Sequence, residues 1–238
     1  MEEENKKISD EALEYVKRHK KEIVAKFASP ALFPPDEYPV SIFMAGSPGA
    51  GKTEYSRELV GIFFGDSAGR EVVRIDADEI REILPGYSGG NAHLFQPAVS
   101  VAVEKIHDGV LANKQNFILD TTLAFAPEKA QNNVLRSLEK GRVVFIFYIY
   151  QDPIIAWDFT QKREVKEGRR ISRDVFIEQF FQARENVNML KEHFGDSVKV
   201  YVVEKDFKNR VGRVWAGVDK IDNYIELSYT KEELKNKL

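Results

Sequence analysis

The sequence predicts an α/β fold with a central, mainly parallel sheet of about five strands and helices on both faces. Short apolar runs alternate with segments of helical periodicity along most of the chain. The runs lack the apolar–polar alternation of half-exposed strands, which indicates strands buried on both faces. The 238 residues include 43% hydrophobic and 31% charged side chains, a balance that is typical of a globular protein with a sizeable core.

An extra helix is predicted before the sheet begins. Residues 9–27 place apolar side chains at helical spacing, and Ser9 is a favourable N-cap residue. The next segment, SPALFPPDEYP (29–39), contains four prolines and should be irregular. We therefore divide the chain into residues 1–38, the helix with its connector, and residues 39–238, the sheet domain. The helix has three possible roles: a structural brace, a built-in cover of a ligand site, or a docking place for a helical partner.

The remaining elements follow in a regular order. Strands are predicted at VSIFMA (40–45), EVVRID (71–76), NFILD (116–120), RVVFIFYIY (142–150) and, as the last of the sheet, VKVYVVEK (198–205). Helices are predicted at 51–64, near 77–84, and at 97–113, 127–140, 152–166 and 173–193. GYSGGN (86–91) indicates a flexible turn. Thr230 and Glu233 have the spacing of a capping box that opens a terminal helix.

One segment has the pattern of a phosphate-binding loop. It matches G-x-x-x-x-G-K-[ST], with a strand before it and a helix after it, and consists of Gly46, Ser47, Pro48, Gly49, Ala50, Gly51, Lys52 and Thr53. Glycines let successive backbone amides converge on phosphate oxygens, and the helix N-terminus adds its dipole. Lys52 should reach the β- and γ-phosphates, and Thr53 should offer its hydroxyl to Mg²⁺. The sequence therefore predicts ATP with Mg²⁺ at this loop.

The guanine-specific motifs of GTPases are not matched in their usual context. NKQN (113–116) lacks the aspartate of N-K-x-D and precedes a strand. DSAG (66–69) fits D-x-x-G but follows no predicted strand. A GTPase is therefore not expected.

Acidic residues follow two of the predicted strands. Asp76 and Asp78 lie at the end of the second strand, and Asp120 ends the third. Ligands of doubly wound sheets bind at the carboxyl ends of the strands. A carboxylate opposite the γ-phosphate can orient and deprotonate an acceptor hydroxyl, and we expect Asp76 or Asp78 to do so. Asp120 should organise Mg²⁺ or its water. The alternative for each is a helix cap or turn residue.

An arginine-rich link joins two predicted helices. QKREVKEGRRISRD (161–174) contains four arginines, and its guanidinium groups can close over phosphate oxygens in pairs. We expect Arg163 or Arg170 to contact the transferring phosphate. The alternative is a solvated loop in which the arginines pair with neighbouring acids.

With these motifs in place, the chain resembles the zeta toxin family from about residue 40 to about residue 201. The resemblance is carried by GSPGAGKT, by RIDADEIR followed by PGY, by the helix QPAVSVAVEKI, by FILDTT and by REVKEGRRIS. It implies a P-loop kinase of a toxin–antitoxin system that phosphorylates the 3′-hydroxyl of UDP-N-acetylglucosamine. An antitoxin protein is then a possible partner.

The resemblance also implies residue roles. Asp78 corresponds to the general base, and Lys52, Arg163 and Arg170 to the residues that neutralise the phosphoryl group. The substrate side would comprise Asp76, Glu104, Asp120 and Thr122, and the metal would be held by Thr53 and Asp120. The chain departs from the family where E-G-T-G-R is replaced by DTTLA (120–124), with Ala124 in the arginine position. The link between the two arginines is also shorter. We therefore expect a divergent member that acts on a nucleotide sugar of the UDP-N-acetylglucosamine type, with another sugar nucleotide or a different hydroxyl compound as the alternative acceptor.

Composition argues against nucleic-acid binding, cysteine chemistry and a membrane or secreted protein. The net charge is -3, so nucleic acid is not an expected partner, and the lack of cysteine excludes disulfides and thiolate chemistry. No apolar run has membrane-spanning length and the N-terminus lacks a signal-peptide pattern, so we expect a cytoplasmic protein. Two alternatives remain open: a P-loop kinase of another small molecule or a nucleic-acid end, and a non-catalytic nucleotide-binding partner in a toxin–antitoxin system.

Overall fold

The computed structural model describes residues 2–65, 72–168, 170–208 and 210–238. Three sequence features lie outside these ranges: Glu71 of the predicted second strand, the D-x-x-G match at 66–69, and Arg169 of the arginine-rich link. The helices are α1 (Glu2–Ala28), α2 (Lys52–Phe64), α3 (Ala77–Glu82), α4 (Gln96–Ala112), α5 (Pro127–Leu138), α6 (Pro153–Glu167), α7 (Arg173–Phe194) and α8 (Lys231–Lys237). The strands are β1 (Val40–Ala45), β2 (Val72–Asp76), β3 (Asn116–Asp120), β4 (Val143–Tyr150), β5 (Val198–Lys205) and β6 (Val211–Ala216).

The six described strands form one sheet in the order β2-β3-β1-β4-β5-β6. Strands β1 to β5 are parallel, and β6 pairs antiparallel with β5. The predicted α/β fold with a mainly parallel sheet is therefore confirmed. The prediction that VKVYVVEK is the last strand is wrong, because β6 follows it at the sheet edge. Most residues of β6 are exposed, so this strand lacks the apolar run that marks the others.

Helices cover both faces of the sheet. Ile42 and Met44 of β1 join a buried cluster with Tyr55 and Leu59 of α2. The alternate residue Phe43 joins a larger cluster that includes apolar side chains of α1, α4, α5 and α7. Successive strand residues point to opposite faces, so the continuous apolar runs follow from burial of both faces.

Helix α1 begins earlier than the sequence indicated. It starts at Glu2 and is distorted at His19, so Ser9 lies inside the helix and its predicted N-cap role is wrong. Acidic residues at the N-terminal end suit the helix dipole and extend the helix. Val16 and Ile23 are buried in the larger cluster. A Cβ at Gly109 of α4 would lie 2.8 Å from Cγ1 of Val24, which shows how closely the two helices cross. Helix α1 thus shares its core with the sheet and braces it through α4.

Arg142 ties the amino ends of the central strands together. Its buried guanidinium donates to Oγ of Ser41 at 2.6 Å and to the carbonyl oxygens of Val40 and Gln115 at 2.8 and 2.5 Å. The Gln115 side chain donates in turn to the carbonyl oxygen of Ala28, at the end of α1. The same side chain donates to the carbonyl oxygen of Phe33 at 2.6 Å, which fixes the proline-rich connector at the amino ends of the strands.

The C-terminal residues pack along α7. Thr230 and Glu233 form the predicted capping box, and Leu234 of α8 is buried against α6 and α7.

None of the described helices is long and apolar enough to cross a membrane.

Candidate active site

The phosphate loop lies between β1 and α2 and packs tightly against the end of β4 and against α6. At Gly46 φ is +132°, and a Cβ there would lie 2.2 Å from the carbonyl oxygen of Ile149. At Gly49 φ is +73°, and a Cβ would lie 2.1 Å from the carbonyl oxygen of Ala156. Only glycine has the backbone freedom and the small volume for both positions. The loop sequence is therefore explained by its packing as well as by the phosphate motif.

The N-terminus of α2 has no side-chain cap. Its N-cap residue is Gly51, in the left-handed conformation. The first-turn amides of this 13-residue helix consequently receive no side-chain acceptor, and the positive end of the helix dipole lies at the loop. An anion such as a phosphate group can supply the missing acceptor.

Lys52 is buried beside the loop, with only 9% of its surface exposed. Its Nζ donates to the carbonyl oxygen of Ser47 at 2.6 Å, which folds the side chain back over the loop. Burial lowers the pKa of Lys52 to about 8, and the nearby Arg163 lowers it further, while Asp120 and Asp78 oppose the shift. The structure therefore brings Lys52, Asp78, Asp120 and Arg163 within electrostatic reach of one another.

Asp76 is the N-cap of α3. Its Oδ1 accepts a hydrogen bond from the amide of Asp78 at 2.8 Å, and its Oδ2 lies 2.5 Å from Nη2 of Arg74. Burial raises the pKa of Asp76 to about 6, with Asp120 and Asp78 adding to the effect. The capping alternative thus applies to Asp76, and both of its oxygens have partners within the protein.

Asp120 lies beside Asp76, because the two are paired in register on neighbouring strands. Its Oδ2 accepts a hydrogen bond from Oγ of Ser56 at 2.8 Å and lies 3.4 Å from Nη2 of Arg74. Both contacts involve the same oxygen, and the described part of the chain gives Oδ1 no hydrogen-bond partner. One carboxylate oxygen of Asp120 is therefore available to a ligand.

The residues present fit a magnesium ion that is bound mainly through phosphate. The described residues include no group of three or more histidine or acidic side chains that could hold a metal on its own. Magnesium bound to nucleotides needs only one or two protein oxygens beside the phosphates and water. Thr53, in the first turn of α2, and Oδ1 of Asp120 could supply these two oxygens.

Asp78 occupies the second position of α3, between two arginines. Its Oδ1 accepts a hydrogen bond from Nη1 of Arg81 at 2.8 Å, and its Oδ2 lies 3.5 Å from Nη2 of Arg163 in α6. About a quarter of its side chain is exposed. Asp78 is thus accessible, whereas Asp76 is almost fully buried.

The two predicted clamp arginines differ in position. Arg163 approaches Asp78 and influences Lys52, so it lies at the phosphate loop. Arg170 is largely exposed, and its Nε lies 3.8 Å from Glu164. Arg170 thus lies in solvent near an acidic neighbour, as expected if the link were a solvated loop whose arginines pair with nearby acids.

The segment that ends α6 touches the glycine turn that follows α3. A Cβ at Gly168 would lie 3.1 Å from the amide nitrogen of Gly90 and 3.4 Å from the carbonyl carbon of Gly89. The predicted flexible turn and the arginine-rich link are therefore in backbone contact.

Glu104 and Thr122 lie on the side of the sheet that carries α4 and α5. Glu104 forms ion pairs with Lys129 at 3.0 Å and with Arg136 at 3.3 Å, both in α5. Oγ1 of Thr122 accepts a hydrogen bond from the amide of Ala124, and its carbonyl oxygen accepts one from the amide of Gly46. Thr122 therefore adjoins the phosphate loop, while Glu104 already has cationic partners.

Sequence reasoning missed several polar residues of this region. Arg74 links Asp76, Asp120 and Glu79, Arg81 binds Asp78, and Ser56 binds Asp120. One signal was available, since Arg81 follows Asp78 by three residues on a predicted helix, a spacing at which side chains are neighbours.

The fold and the phosphate loop define a P-loop kinase-like protein. The family model described as Zeta toxin matches residues 21–214, and the chain belongs to this family. No curated protein matches the chain by sequence.

Two solved structures share the fold of this chain. A chain from the structure of the PezAT chromosomal toxin–antitoxin system of Streptococcus pneumoniae is 15% identical, with a TM-score of 0.64 over 96% of this chain and 95% of that chain. A chain of the AvrRxo1-ORF1:AvrRxo1-ORF2 complex with sulphate ions is 14% identical, with a TM-score of 0.56 over 89% of this chain. The match spans 65% of that longer chain. These likenesses concern the fold.

Proposed function

We propose that this protein is an ATP-dependent kinase that transfers the γ-phosphate to a hydroxyl group. The observation that carries the proposal is the position of Asp78. Its carboxylate lies at the carboxyl end of the sheet, next to Lys52 of the phosphate loop and 3.5 Å from Arg163. Phosphoryl transfer requires these three elements together: a phosphate cradle, a cation for the transferring group and an acceptor for the hydroxyl proton.

The protein's own groups account for each part of the reaction. The loop amides and Lys52 hold the triphosphate, and Thr53 and Asp120 would hold Mg²⁺, which neutralises phosphate charge when bound. The acceptor oxygen forms a bond to the γ-phosphorus as the bond to the β-phosphate oxygen breaks, and ADP leaves. Asp78 takes the hydroxyl proton. Arg163, with Arg170 after movement of its segment, stabilises the charge on the transferring group.

A nucleotide sugar such as UDP-N-acetylglucosamine is the acceptor class that we propose. Family membership supports this class, and Asp76, Glu104, Asp120 and Thr122 would lie on the acceptor side. The ion pairs of Glu104 with Lys129 and Arg136 mean that an acceptor must share or replace these partners. Ala124 stands where the family pattern has arginine, so the panel of acceptors must include other sugar nucleotides.

A role as a toxin with an antitoxin partner, acting in the cytoplasm, completes the proposal. It predicts slower growth of cells that express the wild-type protein than of cells that express Lys52→Ala. Equal growth of the two strains, at equal protein levels, would contradict the toxin role and leave the kinase proposal standing.

The kinase proposal is tested with γ-labelled ATP and a panel of nucleotide sugars. We expect label on one sugar nucleotide, and a loss of about 10²- to 10⁴-fold in transfer rate for Asp78→Asn, with ATP still bound. Asp196→Asn is the matched control, because Asp196 is fully exposed in the turn before β5, at the opposite end of the sheet. Label that stays on ATP, or appears only as inorganic phosphate across the panel, would show that the protein is not such a kinase.

A further inference from the structure

Arg81 is a buried arginine that holds the carboxylate of Asp78. Only 6% of Arg81 is exposed, and its Nη1 donates to Oδ1 of Asp78 at 2.8 Å. The surface pair Lys105–Asp108 has the same spacing on α4, but its side chains are nearly half exposed. An exposed pair of this kind contributes little to stability, whereas burial of a guanidinium is costly and needs firm partners.

The other side of the Arg81 guanidinium is fixed by α4. Nη2 donates to Oε1 of Gln96 at 3.1 Å, and Nε2 of Gln96 lies 3.3 Å from Oγ of Ser100. Arg81 is therefore held between α3 and the first turn of α4. The planar guanidinium cannot rotate without losing one of its two bonds, so it presents Nη1 to Asp78 in a fixed direction.

The two oxygens of Asp78 consequently have different surroundings. Oδ1 is bound by the buried Arg81, whereas Oδ2 lies 3.5 Å from Arg163, whose side chain is 43% exposed. The hydrogen bond from Arg81 therefore orients the Asp78 carboxylate from its buried side.

We propose that Arg81, held by Gln96, is a positioning residue that binds Oδ1 of Asp78 and fixes the orientation of its carboxylate. This inference rests on the proposed kinase function and names the residue that orients the base. Arg81 contacts neither ATP nor the acceptor in this arrangement; it acts through Asp78.

The first test compares Arg81→Met and Arg81→Lys with wild type, using labelled ATP and the nucleotide sugar that gains label in the acceptor panel. Methionine is similar in length to arginine but carries no charge. Asp78 and Gln96, which lose their hydrogen bonds to Arg81, are at least partly exposed to water, so the variant should fold. We expect Arg81→Met to lower kcat by about tenfold or more, with KM for ATP unchanged, because a misoriented base loses much of its effect. The acid limb of the pH–rate profile should move to higher pH, because a neighbouring guanidinium lowers a carboxyl pKa. Arg81→Lys should restore the acid limb but only part of kcat. Lysine has the positive charge of arginine but lacks the planar guanidinium that binds Asp78 and Gln96 together.

A double-mutant comparison separates this inference from the proposed function. If Arg81 acts through Asp78, Arg81→Met has no further effect in the Asp78→Asn background. If Asp78→Asn itself keeps the wild-type rate, the proposed base is wrong. If Asp78→Asn is inactive while Arg81→Met keeps both kcat and the acid limb, only the inference about Arg81 is overturned.

A second measurement does not depend on turnover or on the acceptor. In protein labelled with [γ-¹³C]aspartate, the Asp78 signal is assigned by its loss in Asp78→Asn, and its pKa is read by NMR. Arg81→Met should raise this pKa, and Gln96→Leu should raise it less. Lys105→Met, which removes the surface pair, is the matched control. An Asp78 pKa that is the same in Arg81→Met and wild type would overturn the proposal.

Discussion

Arg163 and Asp78 face each other across the phosphate loop, with Nη2 of the arginine 3.5 Å from Oδ2 of the carboxylate. The two residues come from α6 and α3, which follow strands β4 and β2 on either side of the central strand. Their contact joins the cation and the proposed base of the reaction without nucleotide.

Arg163→Gln should therefore affect catalysis more than binding. We expect a loss of about 10²-fold or more in kcat, because the transferring charge loses a preorganised donor, and only a small change in ATP affinity. Arg173→Gln is the control in the same segment, since Arg173 donates to the carbonyl oxygen of Lys235 instead. The measurements are the transfer rate and the dissociation constant for ATP. Equal losses in the two variants would argue against a specific role of Arg163.

Lys52 should make ATP binding depend on pH. Burial lowers its pKa to about 8, and a bound phosphate favours the charged form and raises that pKa again. Affinity should thus be constant below pH 8 and fall above it, by up to about tenfold per pH unit, with uptake of a proton on binding. Calorimetry in two buffers of different ionisation enthalpy measures this proton. Lys52→Arg stays charged over this range, so its affinity for ATP should not fall above pH 8. If Lys52→Arg has the same pH profile as wild type, the titration of Lys52 is not the cause of the fall.

Residue 168 has no room for a side chain at its contact with Gly90. At Gly168 φ is +70°, and a Cβ would lie 3.1 Å from the amide nitrogen of Gly90. We expect Gly168→Ala to displace the end of α6 from the glycine turn and to lower the transfer rate by about tenfold, because the arginine-rich link then shifts. Gly217→Ala is the control, since φ is +66° there and a Cβ would meet no atom within 4 Å. Equal transfer rates of the two variants would show that this contact does not affect the reaction.

Arg142 should be a major contributor to stability. Arg142→Met leaves Ser41 and the carbonyl oxygens of Val40 and Gln115 without this donor, and we expect a loss of about 2–4 kcal/mol in the free energy of unfolding. Arg213→Met is the control, because Arg213 is mostly exposed on β6 and lies 3.9 Å from Glu204. Urea denaturation measures both. A similar small loss in the two variants would mean that the Arg142 hydrogen bonds contribute little.

The sequence predicted those features that depend on local pattern. The phosphate loop, the buried parallel strands and the acids at strand ends each have a spacing that is fixed within one segment. The features that were missed depend on distant segments. Arg81 finds Gln96 fifteen residues later on another helix, and the partners of Glu104 come from α5. Strand β6 lies at the edge of the sheet, where exposure removes the apolar signature.

The close packing of α1 on α4 at Gly109 links the N-terminal helix to the proposed catalytic base. Helix α1 rests on α4 at this glycine, and the first turn of α4 carries Gln96, which holds the guanidinium beside Asp78. A methyl group at residue 109 would clash with Cγ1 of Val24 and force the packing of α4 on α1 to shift. A substitution thirteen residues from Gln96, on the face of α4 that packs against α1, would then slow phosphate transfer by loosening the support of one carboxylate.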